Sequence, residues 1–407
     1  MKSLIFYFVS ARAASILGDR VAGIVLPLAV LATTGSAATA GLVGAVAQLP
    51  PVLAALHVGA LVDRRERRGL MVSADLLNAL SWVGLAAEIV FGGARLVPLL
   101  LLALATGIGD AVFYTAAGSY LPHIAGDRDL MRANGIVEGS DAAATLMGPT
   151  VGGWLMQRFG SFVALMVNAG SFVVSAMLLQ RLPQNQPRRG EEDEDASVLA
   201  GLRLIKWDRR QTVLLVGACY MNLLAAAAFL PLLARAEGTL ALPPATIGLI
   251  MSAAGIGGLV SSFILARYCD VRRWPLMLAV VLAVNACSVG VLALLDAPAP
   301  LAITILILDG ASALAFIVTG TIRQRITPDP LRGRVFAASS AVTATVRMVA
   351  TGGIGGLIDL LGAERALMVL AMMGVPFLVV LLIAGSTASG ATRIRTAGSL
   401  TADQSPP

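Results

Sequence analysis

Histidine is almost missing from this chain: His57 and His123 are the only two. They cannot form a paired-histidine zinc motif, and each is expected at a helix end rather than on a metal. Lysine is equally rare. Lys2 and Lys206 are alone, and neither follows a Gly-x-x-x-x-Gly spacing. Without that phosphate-binding loop, ATP is not an energy source on this chain. The three cysteines, Cys219, Cys269 and Cys287, are scattered through apolar stretches and imply no disulfide framework. Charged residues are only 13% of the total, against roughly a quarter in ordinary globular domains. Soluble-enzyme chemistry, a resident metal and a cofactor therefore have no footing here.

Long apolar runs fill the space that charge leaves. Hydrophobic residues are 57% and mean hydropathy is +0.82. About 20 consecutive apolar residues cross a bilayer as a helix. Twelve such runs are expected, near 4–32, 39–61, 70–93, 97–122, 134–158, 161–182, 212–236, 245–266, 272–295, 299–322, 335–361 and 364–385. Helices are the default, because a lone lipid-facing strand leaves backbone groups unsatisfied. Lys2 and the first run imitate a signal peptide, but Arg12, Asp19 and Arg20 interrupt it, so cleavage is not expected.

The chain also repeats itself. Gly152-Gly153, Gly160 and Ala164-Leu165-Met166-Val167 return as Gly355-Gly356, Gly362 and Ala366-Leu367-Met368-Val369, about 202 residues later. Gly118, Ile124 and Asp127 fall on Gly320, Ile326 and Asp329 at nearly the same offset. Two tandem halves of one ancestral unit give this pattern. Duplicated membrane bundles with a site at the repeat interface are a transporter architecture. The expected organisation is a six-helix bundle over 1–183, a linker over 184–211, a second bundle over 212–386 and a tail over 387–407. Pro183 and Pro187 break the sixth helix, and the linker carries an acidic run from Glu191 to Asp195. Val198, Leu199, Leu202 and Ile205 then recur at helical spacing, as in a short amphipathic helix on a membrane surface.

Arginines crowd alternate loops: Arg64, Arg65, Arg67 and Arg68; Arg128 and Arg132; Arg188 and Arg189; Arg272 and Arg273; Arg332 and Arg334. The opposite loops carry only Arg95, Arg158, Arg235 and Arg365. The positive-inside rule puts both termini and the linker in the cytoplasm, in a bacterial inner membrane. The sequence pI near 9.7 thus needs no nucleic-acid partner.

Gly59-Ala60-Leu61-Val62-Asp63-Arg64-Arg65-Glu66-Arg67-Arg68 resembles the G-x-x-x-D-R-x-G-R-R loop of the major facilitator superfamily, with Glu66 in place of the second glycine. Gly148-Pro149-Thr150-Val151-Gly152-Gly153 resembles the G-P-x-x-G-G core of its antiporter motif. Ser15 to Arg20, Arg132-Ala133-Asn134-Gly135 and Leu331-Arg332-Gly333-Arg334-Val335 look like the enterobactin-exporter-like and macrolide-efflux-like branch. The resemblance implies an all-α major facilitator fold in which the first, fourth, seventh and tenth helices line a cavity. It implies secondary active transport by alternating access, coupled to protons, by a monomer. The fourth span has no arginine, so the proton relay of another drug-antiporter branch does not carry over.

The residues have physical readings of their own. Gly59, Asp63, Arg64, Arg67 and Arg68 form a gating loop: Asp63, at a helix end among arginines, suits a latch that breaks between two states. Gly148, Pro149, Gly152 and Gly153 permit bending and close helix contact. Ionisable groups at membrane depth are costly and are functional candidates. Asp110, Asp309, Asp19, Arg20 and Arg347 are therefore the candidates for proton coupling or substrate binding, with Arg12, Glu88, Glu138 and Asp141 behind them. Arg347 has no neighbouring charge in sequence and is expected to meet a carboxylate or an anionic substrate group. Asp75 is expected to support the Asp63 loop. The function read from all this is export of small amphipathic compounds such as antibiotics, siderophores or secondary metabolites. A metabolite uptake symporter, or a non-transporting membrane sensor that retained the fold, is the alternative.

Overall fold

The computed structural model describes residues 2–63, 65–184, 198–268, 274–328 and 331–374. Every regular element among them is a helix. They are α1 (Lys2–Thr34), α2 (Ala37–Asp63), α3 (Arg67–Val90), α4 (Leu96–Leu179), α5 (Val198–Trp207), α6 (Arg209–Ala234), α7 (Pro244–Tyr268), α8 (Trp274–Leu292), α9 (Pro298–Ile326) and α10 (Arg332–Leu361). A helix α11 follows at 363–374. Nine described segments are long and apolar enough to cross a membrane.

The 84 residues of α4 are three limbs. Gly126 and Gly160 interrupt it with φ of 62° and 83°, a left-handed conformation that glycine adopts without a Cβ penalty. Gly362, the repeat partner of Gly160, makes the same break between α10 and α11 with φ of 84°. One repeated glycine thus turns the chain at corresponding points.

Short connections make successive helices antiparallel. The chain therefore has a near end, where Lys2 and Glu66 lie, and a far end, where Gly35, Gly160 and Gly362 lie. At the near end Glu66 is the N-cap of α3. Its carboxylate accepts from the backbone N–H of Arg68 and Gly69 at 3.1 and 2.7 Å, satisfying donors that a helix start leaves orphaned. The glycine of the usual loop pattern is thus replaced by a capping acid with φ of −68°. The side chains of Gly59 to Arg64 lie outside the described residues, so the Asp63 latch stays a sequence-based expectation. The acidic run and the 387–407 tail also lie outside them. Helix α5 is present, and Ile205 on its apolar side is buried with Val335 and Ala338 of α10.

Leu80, Phe91, Val97, Phe316 and Leu360 are all at least 66% exposed. A surface covered with such residues belongs in hydrocarbon rather than water. Inside, α1 and α3 pack on α4, α8 and α7 pack on α9, and α2 meets α10 while α4 meets α7.

One second-rank candidate, Glu88, and one expected loop charge, Arg235, are structural. Glu88 is not a cavity residue: it accepts from Arg95 Nε at 2.9 Å, Arg95 Nη2 at 3.2 Å and the Arg95 backbone N–H at 3.0 Å, closing the α3–α4 turn. Arg235 is 2% exposed and sits in a π turn (Arg235–Thr239) after α6. It donates to Asp296 at 2.6 Å, Glu364 at 3.2 Å, the Leu292 carbonyl at 3.2 Å and the Leu295 carbonyl. It therefore ties α6, the α8–α9 turn and α11 together. Arg235→Ala should lower stability by about 2–3 kcal/mol, read as a drop in the unfolding midpoint in detergent. Arg235→Lys should recover less than half, since a single ammonium cannot reproduce the planar fork. An unchanged midpoint for Arg235→Ala would remove its tying role.

Candidate functional site

A cavity of about 610 Å³ opens between α1, α2, α4, α6 and α10. Asp19, Arg20, Asp110, Asp141 and Arg347 line it, together with Gln48, Trp82 and Tyr114. A second cavity of about 420 Å³ lies between α1, the second limb of α4, α6, α7 and α9, and includes Asp309. Asp19, Arg20, Gly23, Ala225 and Phe229 line both. The two are lobes of one site arranged around α1. All five ionisable residues picked from the sequence face it, though they are up to 328 positions apart in the chain.

Four of them have their partners on other helices. Arg20 reaches across to Asp141. Its Nη2 donates to both carboxylate oxygens of Asp141, at 2.9 and 3.0 Å, joining α1 to the second limb of α4. Asp110 takes a hydrogen bond from Asn78 Nδ2 at 2.9 Å. Asp19 faces Asn168 Nδ2 at 3.5 Å, a long contact. Arg12 stacks over the rings of Tyr114 and Phe113, at 4.6 and 5.3 Å. Glu138 is exposed and lines neither lobe. Asp75 is fully buried, near Ser175 on the third limb of α4. The side chains of 59–64 that it was expected to support lie outside the described residues.

Of the two partners expected for Arg347, a carboxylate or an anionic substrate group, the structure answers only the first. Its Nε donates to Gln48 Oε1 at 2.9 Å, and Gln48 in turn donates to Thr351 Oγ1 and the Gly44 carbonyl. Among the described residues no carboxylate pairs with it. A neutral amide satisfies the donor and leaves the positive charge uncompensated on the cavity wall. Gln48 and Asn78 escaped the sequence analysis, and Asp141 stood there only in the second rank. Asn78 and Gln48 were legible as amides within apolar runs, since a buried amide needs a partner, but nothing local says which.

The antiporter-like motif sits at a tight crossing. A Cβ on Gly148 would lie 2.4 Å from the Cβ of Arg20, and one on Gly152 would lie 2.7 Å from the Val21 carbonyl. One on Gly153 would lie 2.2 Å from the Pro244 carbonyl, on α7. Thr150 Oγ1 and Ser252 Oγ are 2.8 Å apart, across the same contact. The motif is thus wedged between α1 and α7, and directly supports Arg20. Gly257, in α7, packs against the Leu306 carbonyl of α9.

A helical membrane bundle with a charged, two-lobed central cavity can take up a small molecule without transforming it covalently. Comparison with known proteins points the same way. The chain is 27% identical over 372 residues to the multidrug efflux pump Tap of Mycolicibacterium fortuitum, covering 87% of this chain and 89% of that protein. It is 24% identical over 351 residues to the enterobactin exporter EntS of Salmonella paratyphi A, covering 85% and 84%. Its fold matches the crystal structure of the nucleoside transporter NupG with a TM-score of 0.74, at 13% identity, over 94% of this chain and 98% of that one. The Major Facilitator Superfamily pattern itself spans residues 8–351, so the chain belongs to that superfamily: it is a multi-pass membrane transporter, and not an enzyme.

Proposed function

We propose that the protein is a proton-coupled exporter of small amphipathic compounds. The observation that carries this is the cavity: apolar walls from α1 and α6, lined by Asp19, Asp110 and Asp309, and by Arg347, which has no carboxylate partner among the described residues. Apolar pockets with a few placed charges suit amphipathic ligands. Export, rather than uptake, is supported by the named activities of the Tap and EntS relatives. We further assign twelve spans, counting the three limbs of α4 and helix α11, in two bundles (1–183 and 212–386) joined by the 184–211 linker. The near end is assigned to the cytoplasm, on the arginine count. Asp110 and Asp309 are the proton carriers, Asp19 their reserve, and Arg20 and Arg347 bind substrate. The Gly59, Asp63, Arg64, Arg67 and Arg68 loop gates the near end, and Gly148, Pro149, Gly152 and Gly153 form the pivot.

Inside-out vesicles with an acid interior test the assignment. Cationic and anionic amphipathic dyes should accumulate inside, and Asp63→Asn should slow accumulation sharply without lowering the amount of inserted protein. Dye leaving such vesicles, or moving without regard to the pH gradient, would favour uptake or uncoupled transport. In intact cells, Leu294→Cys should react with an impermeant maleimide while Gln184→Cys should not; the reverse would invert the orientation.

A further inference from the structure

The repeated block of the sequence is, in three dimensions, a pair of equivalent clasps at the far end. On the second limb of α4, Gly153 is followed one turn later by Gln157. On α10, Gly355 is followed one turn later by Asp359. Each residue lies 202 positions from its counterpart. A Cβ on Gly153 would meet the Pro244 carbonyl at the start of α7, at 2.2 Å. A Cβ on Gly355 would meet the Ala37 carbonyl at the start of α2, also at 2.2 Å. The glycines bring two helix N-termini against two helix flanks, and the residue one turn on then caps each N-terminus. Gln157 Oε1 accepts from the Ala245 N–H at 3.2 Å. Asp359 accepts three bonds: from the Ala37 N–H at 2.8 Å, the Ala38 N–H at 3.1 Å and Ser36 Oγ at 2.9 Å.

We propose that Asp359 is a gating residue: the charged clasp that holds α10 to α2 and keeps the far end of the transport pathway shut, with Gln157 as its weaker neutral counterpart. The proposal rests on the alternating-access reading above.

Chemistry favours this role over plain packing. A helix start presents unpaired N–H groups and the positive end of the macrodipole, and a carboxylate there answers both. Charge-assisted bonds are about twice as strong as neutral ones, so the two clasps are unequal. Asp359 is also exposed. When α2 and α10 part, water can solvate the carboxylate and the freed N–H groups, so the clasp is breakable. Gly41 and Gly44 meet Thr351 on the same α2–α10 seam, and Gln48, one turn further along α2, bonds Arg347. The clasp therefore closes the seam that leads to the charged cavity.

Double electron–electron resonance tests this on the full-length protein in nanodiscs. Spin labels go on Thr33→Cys and Leu360→Cys, with Cys219, Cys269 and Cys287 replaced by serine. The unmodified background should give one dominant short distance. Asp359→Ala should raise the ratio of long to short distances about fivefold to tenfold, as loss of a charged helix cap does. Ser36→Ala, which removes one of three bonds, should shift it the same way by less. With labels moved to the α4–α7 seam, Gln157→Ala should shift that seam by less than Asp359→Ala shifts its own. If Asp359→Ala does not fold, Ser36→Ala decides: an unchanged distribution overturns the clasp. If the background opens on adding a transported dye or a pH step, yet Asp359→Ala and Ser36→Ala match it at rest, the clasp is overturned while alternating access stands. If no long distance arises in any protein under any condition, alternating access fails and the clasp with it.

Discussion

Asp110→Asn should abolish proton movement coupled to substrate while leaving binding and gradient-independent exchange intact. The geometry makes this a clean substitution. Asn78 Nδ2 donates to Asp110 Oδ1 at 2.9 Å, and an asparagine at position 110 still offers a carbonyl oxygen there. Packing and the α3–α4 contact survive, and the ability to bind and release a proton does not. An exporter driven by protons needs a group that is protonated facing one side and ionised facing the other. Asp110 lines the cavity, so it meets whichever side the cavity faces. It belongs to none of the described ion pairs: Arg20 pairs with Asp141, and Arg347 bonds Gln48. In liposomes holding a pH-sensitive dye, the Asn variant should show substrate-evoked proton flux at background. Asp309→Asn should give a partial loss, since Asp309 lines the smaller lobe. If both variants keep accumulation at the native rate, Asp19, shared by both lobes, becomes the carrier.

The sequence revealed the material of this site better than its wiring. Asp19, Arg20, Asp110, Asp309 and Arg347 stood out because charge within apolar runs is costly enough to need a reason. All five do line the cavity. Their pairing was hidden. Arg20 and Asp141 are 121 positions apart, Gln48 and Arg347 are 299 apart, and no periodicity in one helix encodes its rotation against another. The same limit applied to Arg235. In sequence it reads as a loop charge that sets orientation; in three dimensions it is a buried tie across three elements. The repeat was visible as an offset of about 202, with Gly152-Gly153 set against Gly355-Gly356. The contacts give that register a meaning, pairing Gly153 with Gly355 and Gln157 with Asp359. Boundaries inside α4 were legible for a physical reason, since Gly126 and Gly160 carry positive φ and glycine is the residue that tolerates it.

Arg347→Ala should reduce transport of substrates carrying an acidic group about tenfold or more, and leave cationic substrates nearly untouched. A hydrogen bond to a charged group is worth about 1.5–3 kcal/mol, and each 1.4 kcal/mol is about tenfold in affinity. Arg347→Lys should restore only part of the activity. Lysine keeps the charge but loses the planar fork, so an ammonium bonded to Gln48 has fewer donors left for a ligand. Gln48 supplies the sharper test. It holds Arg347 Nε at 2.9 Å with a neutral oxygen, and Gln48→Glu would convert that contact to an ion pair of nearly the same shape. The fold and the bundle contacts should persist, while the cavity wall loses its net positive charge. If that charge recruits anionic groups, Gln48→Glu should mimic Arg347→Ala for acidic substrates. Gln48→Leu, which spares the charge and loosens the side chain, should cost less. Initial rates for paired acidic and basic dyes of similar size separate these outcomes. Equal, full activity of Arg347→Ala, Arg347→Lys and Gln48→Glu would reduce Arg347 to a wall residue whose charge is simply solvated by the cavity water.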